Sequence, residues 1–153
     1  MSHVIILSSD IKMPEFYSIE GFPIEQSYYD RDYCREIDCF VKKEYYYSMD
    51  ISANKAALLE LKKYLMENIS PDNEIELWSL WLGGDHTKHY LTMPKISNIP
   101  AVVLDDVEDS IDYYTENNFN PAIRKVSICE LSINDISFIQ DHSGVCLIVS
   151  HSK

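Results

Sequence analysis

The stretch from Ala53 to Leu82 restricts the fold of this chain most, because one hydrophobic period gives way there to another. Ala57, Leu58, Leu61 and Leu65 recur at three- and four-residue steps, the spacing of a helix with one buried face. Ser52 stands where an N-cap is needed, so the spacing predicts a helix over Ala53–Asn68. Pro71, Asp72 and Asn73 then stop it. From Glu74 to Leu82 the residues Ile75, Leu77, Ser79 and Trp81 alternate with Glu76, Trp78, Leu80 and Leu82, which predicts a strand covered on both faces near its end.

The remaining elements are shorter. Val4–Ser8 reads as a buried strand, and the 25 or so residues after it, punctuated by Pro14, Gly21 and Pro23, as a long loop packed by Phe16, Tyr17, Phe22, Tyr28 and Tyr29. Between Glu36 and Met49 the β-branched and aromatic residues leave a hairpin and one long bent strand both open. Gly83 and Gly84 mark a turn, Tyr90–Ile96 an edge strand broken by Pro94, and Ala101–Leu104 a short apolar run. Asp105 or Asp106 caps a helix striped by Val107, Ile111 and Tyr114 that ends near Asn117. A strand over Arg124–Leu131 follows, then a short helix opened by a Ser132/Asp135 capping box, then Gly144 and a last strand, Val145–Ser150. This irregular order predicts an α+β fold: a single domain over residues 1–153 with a largely antiparallel or mixed sheet, one long amphipathic helix and shorter helices. At 153 residues the chain is long enough to hold a core without disulfides or metal.

Charge bounds the function. Twenty-five acidic residues against 13 basic ones give a formal charge of -12, a field that repels phosphates and anionic membranes and attracts basic partners. The apolar runs, such as Val4–Leu7 and Val145–Val149, fall far short of the roughly 18 residues of a spanning helix, so no membrane segment is expected. The N-terminus lacks the basic region and small-residue cleavage site of a signal peptide, which points to the cytoplasm. Cys39, Cys129 and Cys146 lie in apolar runs and are expected as buried reduced thiols. Cys34 lies between Arg31 and Arg35, where positive charge favours the thiolate, yet no histidine lies near it in sequence.

Motifs for catalysis are sparse. There is no G-x-S-x-G elbow, and the four glycines form neither a P-loop nor a dinucleotide fingerprint. Asp85, His86 and His89 offer a loop of possible metal donors that His142 or His151 would have to complete, but the ordinary reading is a solvated turn. The expectation is a chain that is not an enzyme and carries no cofactor or metal.

The densest pattern is acidic. Asp105, Asp106, Glu108, Asp109, Asp112 and Glu116 fall within twelve positions, interleaved with Tyr113 and Tyr114 and with no Lys or Arg. Such a run is ordinarily only a solvated helix face. Here Glu108/Asp112 and Asp112/Glu116 are like charges at i and i+4, each costing roughly a few tenths of a kcal/mol, with the helix dipole offsetting part of it. A similar texture recurs at Tyr28, Tyr29, Asp30, Asp32 and Tyr33. Carboxylates spaced among tyrosines imitate nucleic acid, the acids standing for phosphates and the rings for bases, and a basic cleft is steered onto them.

In size, acidity, α+β order and acid-plus-tyrosine segments the chain resembles the small immunity proteins of bacterial toxin systems, including contact-dependent growth inhibition. The resemblance implies 1:1 binding and neutralisation of a cognate basic toxin domain, a nuclease among the common cases, without catalysis. Partner-binding residues are then expected at Asp105, Asp106, Glu108, Asp109, Asp112, Tyr113 and Glu116, with Tyr28, Tyr29, Asp30 and Asp32 as a second contact. The alternatives are a nucleic-acid mimic acting on a DNA-binding or phage-defence protein, and a small metal-dependent enzyme built on Asp85, His86 and His89.

Overall fold

The computed structural model describes residues 2–17, 24–26, 37, 40–82, 122–141 and 144–151. They form an α+β fold: a six-stranded sheet in the order β2-β3-β1-β4-β6-β5, with two helices. The strands are β1 (Ser2–Ser9), β2 (Ile24–Gln26), β3 (Tyr45–Met49), β4 (Glu74–Leu82), β5 (Ala122–Ser127) and β6 (Val145–Ser150). The helices are α1 (Lys55–Asn68) and α2 (Ile133–Asp141). All neighbours pair antiparallel except β5 and β6, which run parallel and are joined through α2. The sheet is therefore mixed, with one βαβ unit at its end.

Side-chain alternation divides the sheet into two faces. Register sets Ile5 beside Met49 and Ser79, Leu7 beside Tyr47 and Leu77, and Leu77 beside Leu147 on one face. There they meet Leu58, Leu61 and Leu65 of α1 and Ile136 and Ile139 of α2 in one continuous core. The opposite face is covered too: Ile6, Leu80 and Cys146 are fully buried, and the Phe40 ring tilts against Trp78 at 5.9 Å. This double burial is why β4 reads apolar on both sides.

Local differences from the sequence reading each have a physical cause. Helix α1 is capped by Asn54, whose Oδ1 accepts the Ala57 N–H at 2.9 Å, rather than by Ser52, two residues earlier. The Glu36–Met49 segment is neither a hairpin nor a long strand. Ile37 and Phe40 are helical, the Val41 N–H donates to Ile37 O at 2.7 Å, and the strand begins only at Tyr45. Ile37, Phe40 and Val41 are spaced i, i+3, i+4, so helical period outweighs their β propensity. Strand β5 ends at Ser127, short of Leu131, because residues 128–130 turn and the Glu130 and Leu131 N–H groups donate to Ser127 O and Ile128 O. That turn exposes Cys129, contrary to expectation, whereas Cys146 is buried as expected. Cys34 and Cys39 lie outside the described residues, as do Tyr90–Ile96, Ala101–Leu104 and the acidic helix.

The start of α2 carries the expected Ser132/Asp135 pair. Asp135 Oδ2 accepts from the Ser132 N–H at 2.9 Å and from its hydroxyl at 3.0 Å. Its other oxygen lies 2.6 Å from Arg124 Nε of β5, a charge contact without hydrogen-bond alignment. Before β6, Gly144 takes φ 71°, a left-handed conformation open to glycine at little cost, and its N–H donates to Ser79 O at 2.7 Å.

Two stability comparisons follow from this packing. Leu61→Ala, at a fully buried site in the core, is expected to cost about 2–5 kcal/mol in urea unfolding, whereas Leu59→Ala, on the exposed face of α1, stays within about 0.5 kcal/mol. Asp135→Ala is expected to cost about 1–3 kcal/mol by orphaning the Ser132 N–H, against less than about 1 kcal/mol for Arg124→Ala, whose side chain is half exposed. Equal losses at Asp135 and Arg124 would show that the ion pair, not the cap, dominates.

Candidate functional site

The expected contact residues Asp105, Asp106, Glu108, Asp109, Asp112, Tyr113 and Glu116 lie outside the described residues, as do Tyr28, Tyr29, Asp30 and Asp32. Asp85, His86, His89 and His142 do too. Their attachment points are nonetheless defined. Because β4 and β5 are antiparallel with β6 between them, Leu82 and Ala122 sit at the same end of the sheet, about 10 Å apart in the strand-to-strand direction. Gln26, which pairs with Tyr47, lies on the first strand of the order and points its chain towards the other end of the sheet. The chain thus leaves the sheet at Gln26 and at Leu82 from different strands and in opposite directions.

At that other end the described residues form a recess of about 490 Å³, lined by Lys12–Glu15 and Glu44–Tyr47. Its volume falls within the range of ligand-binding clefts. Three adjacent tyrosines cannot share one face of a strand, and the register sorts them. Tyr45 and Tyr47 lie on the face carrying the main core, and Tyr46 on the other. Tyr47 is buried, and its hydroxyl accepts the Met13 N–H at 2.9 Å. Met13 itself is buried in the core, which pins the Lys12–Glu15 wall to β3. A second pin comes from α1: the Tyr64 hydroxyl donates to Pro14 O, and the Tyr64 ring lies 5.5 Å from that of Phe16.

Charge at the recess is mostly negative. Glu15 and Glu44 are exposed lining residues, and the Tyr17 hydroxyl donates to Glu15 at 3.4 Å. Beside them Lys43 pairs with Asp10 at 2.8 Å, which leaves Lys12 as the basic residue of the lining. Sequence reasoning passed over this place. Its signal in the sequence is Glu44-Tyr45-Tyr46-Tyr47, an acid beside tyrosines as in Tyr28–Asp32, but the hairpin and bent-strand readings of Glu36–Met49 account for the run as strand alone.

Two other polar arrangements belong to the fold. His3 Nε2 lies 2.6 Å from Ser79 Oγ, within reach of a nucleophile–base pair, but Ser79 is fully buried, so this contact satisfies a core hydroxyl. On the opposite face of the sheet Glu76 accepts from the Trp78 indole at 2.8 Å and from the Ser8 hydroxyl at 3.3 Å. The neighbouring Cys146 thiol is pushed far above its ordinary range by burial, with Glu76 adding to the rise and Lys43 opposing it. A thiol so held is a packing group. Among the described residues no three His, Cys, Asp or Glu side chains gather to hold a metal, and no helix is long and apolar enough to cross a membrane.

No family model, curated protein or solved structure matches this chain. Function must be argued from its own residues.

Burial raises the Tyr64 phenol well above its ordinary value of 10.0, with Tyr47 adding to the rise, and raises Cys146 above its ordinary 9.0. Both groups keep their protons in the folded state, whereas the unfolded chain releases them near those ordinary values. Their contribution is therefore whole below about pH 9 and is lost as pH climbs, at up to about 1.4 kcal/mol per pH unit for each group. Urea unfolding from pH 8 to 11 is expected to show this decline, and Tyr64→Phe to flatten its upper part. An unchanged slope in Tyr64→Phe would mean that the phenol is not held neutral by the fold.

Proposed function

We propose that this chain is an immunity protein: an inhibitor that binds a cognate basic toxin domain, a nuclease, and occludes its charged cleft. The observation that carries this reading is the formal charge of -12, half of it carried by the six acids of Asp105–Glu116, a span that also holds Tyr113 and Tyr114 and has no Lys or Arg. Long-range attraction between such a surface and a cationic cleft raises the association rate, and salt screens it. Tyrosines at the centre of a contact supply the burial that slows dissociation. The recess lined by Glu15, Glu44 and Tyr45–Tyr47 repeats this chemistry on the described surface. The sheet, covered on both faces, supplies a rigid body from which contact segments extend. Neutralisation then requires only occupancy, and one inhibitor suffices for one toxin.

The test begins with the basic protein that this chain retains through moderate salt, once its nuclease activity has been assayed with and without added chain. Stoichiometric loss of that activity is the expected result. The triple variant Asp105→Lys, Asp109→Lys, Asp112→Lys is expected to slow association at least tenfold at low salt and to weaken the salt dependence. An unchanged on-rate and affinity would remove that segment from the interface. Competition by duplex DNA for several unrelated partners would favour a general nucleic-acid mimic instead.

A further inference from the structure

We propose that the recess between Lys12–Glu15 and Glu44–Tyr47 receives an arginine side chain of the basic partner, a contact separate from the Asp105–Glu116 segment. The inference rests on the reading of this chain as the binder of a basic protein, and it deepens that reading by naming a site. The recess has a volume of about 490 Å³, enough for a side chain together with part of the chain that carries it. Its lining joins two exposed carboxylates, Glu15 and Glu44, to the half-buried ring of Tyr45, and Glu44 makes no ion pair among the described residues. A guanidinium needs what this lining offers: carboxylate oxygens for its N–H fork and aromatic surface for its plane.

The walls are also held in place beforehand. Met13 is anchored through its N–H to Tyr47, Pro14 through its carbonyl to Tyr64, and Tyr45 packs against the core. An entering side chain therefore orders little of the protein, which favours binding. Lys43, next in sequence to Glu44, is engaged by Asp10 at 2.8 Å. Lys12 is exposed and opposes a cationic guest, so its removal should strengthen binding. That sign distinguishes a charge-selective site from a merely sticky surface.

The experiment is an amide-resolved NMR titration of the full chain with N-acetyl-arginine amide, using the citrulline analogue as the uncharged isostere. Saturable shifts are expected at Lys12–Glu15 and Glu44–Tyr47 with arginine and not with citrulline. The Glu15→Gln/Glu44→Gln double variant is expected to weaken binding by roughly three- to tenfold, and Lys12→Ala to tighten it by about twofold. Both replacements are at exposed positions, and unchanged spectra elsewhere verify the fold. Absence of saturable shifts at these residues, or equal binding of citrulline, overturns the proposal. If arginine binds as stated while the captured protein is not inhibited, the arginine site stands and the inhibitor reading falls. If inhibition holds and its affinity is indifferent to Glu15→Gln/Glu44→Gln, the inhibitor reading stands and this site falls.

Discussion

The ladder between β1 and β4 is the interaction on which the other elements depend. It joins Ser2–Ser8 to Leu82–Glu76 at the centre of the sheet, and it places Ile5 and Leu7 on one face with Ile6 on the other. A one-residue slip would turn each of these side chains to the wrong layer. Helix α1 and helix α2 need the Leu7–Leu77–Leu147 row to bury against, and Phe40 needs Trp78. The recess depends on the neighbouring register of β1 with β3, which sets Tyr47 opposite Leu7, where its hydroxyl accepts the Met13 N–H.

Much of this was readable from local periodicity. The alternation from Ile75 to Leu82 marks β4 residue for residue, and the apolar steps from Ala57 to Leu65 mark the buried face of α1. Ser132 and Asp135 announce α2, and Gly144 the return into β6. What failed were places where two rules competed. Around Ile37–Val41 aromatic and β-branched residues favoured strand while their spacing favoured helix, and the tertiary contact of Phe40 with Trp78 sides with the spacing. At Cys129 an apolar neighbourhood suggested burial, yet the turn that carries the chain from β5 to α2 faces water. The recess was hidden for a different reason. Lys12–Glu15 and Glu44–Tyr47 are some thirty residues apart in sequence, and it is the pairing of β1 with β3 and the hydrogen bond from Met13 to Tyr47 that bring them together.

The polar interior of the molecule serves architecture. His3 with Ser79, Ser8 with Glu76, and Asp135 with Ser132 each satisfy a group that the fold withdraws from water, and each ties one element to a neighbour or closes a helix start. Such contacts stabilise modestly when made and cost more when broken, so they fix register and chain direction more than they add net stability. On the proposed reading that fixity serves binding, since shape complementarity is lost when a surface has several conformations.

The connection between β4 and β5 is closed by the sheet itself. Leu82 and Ala122 lie at one end of the sheet with only β6 between them, so the connection over residues 83–121 begins and ends at neighbouring points. The antiparallel pairing of β4 with β6 and the parallel pairing of β6 with β5 fix that closeness. The distance to be bridged therefore does not set the length of the connection.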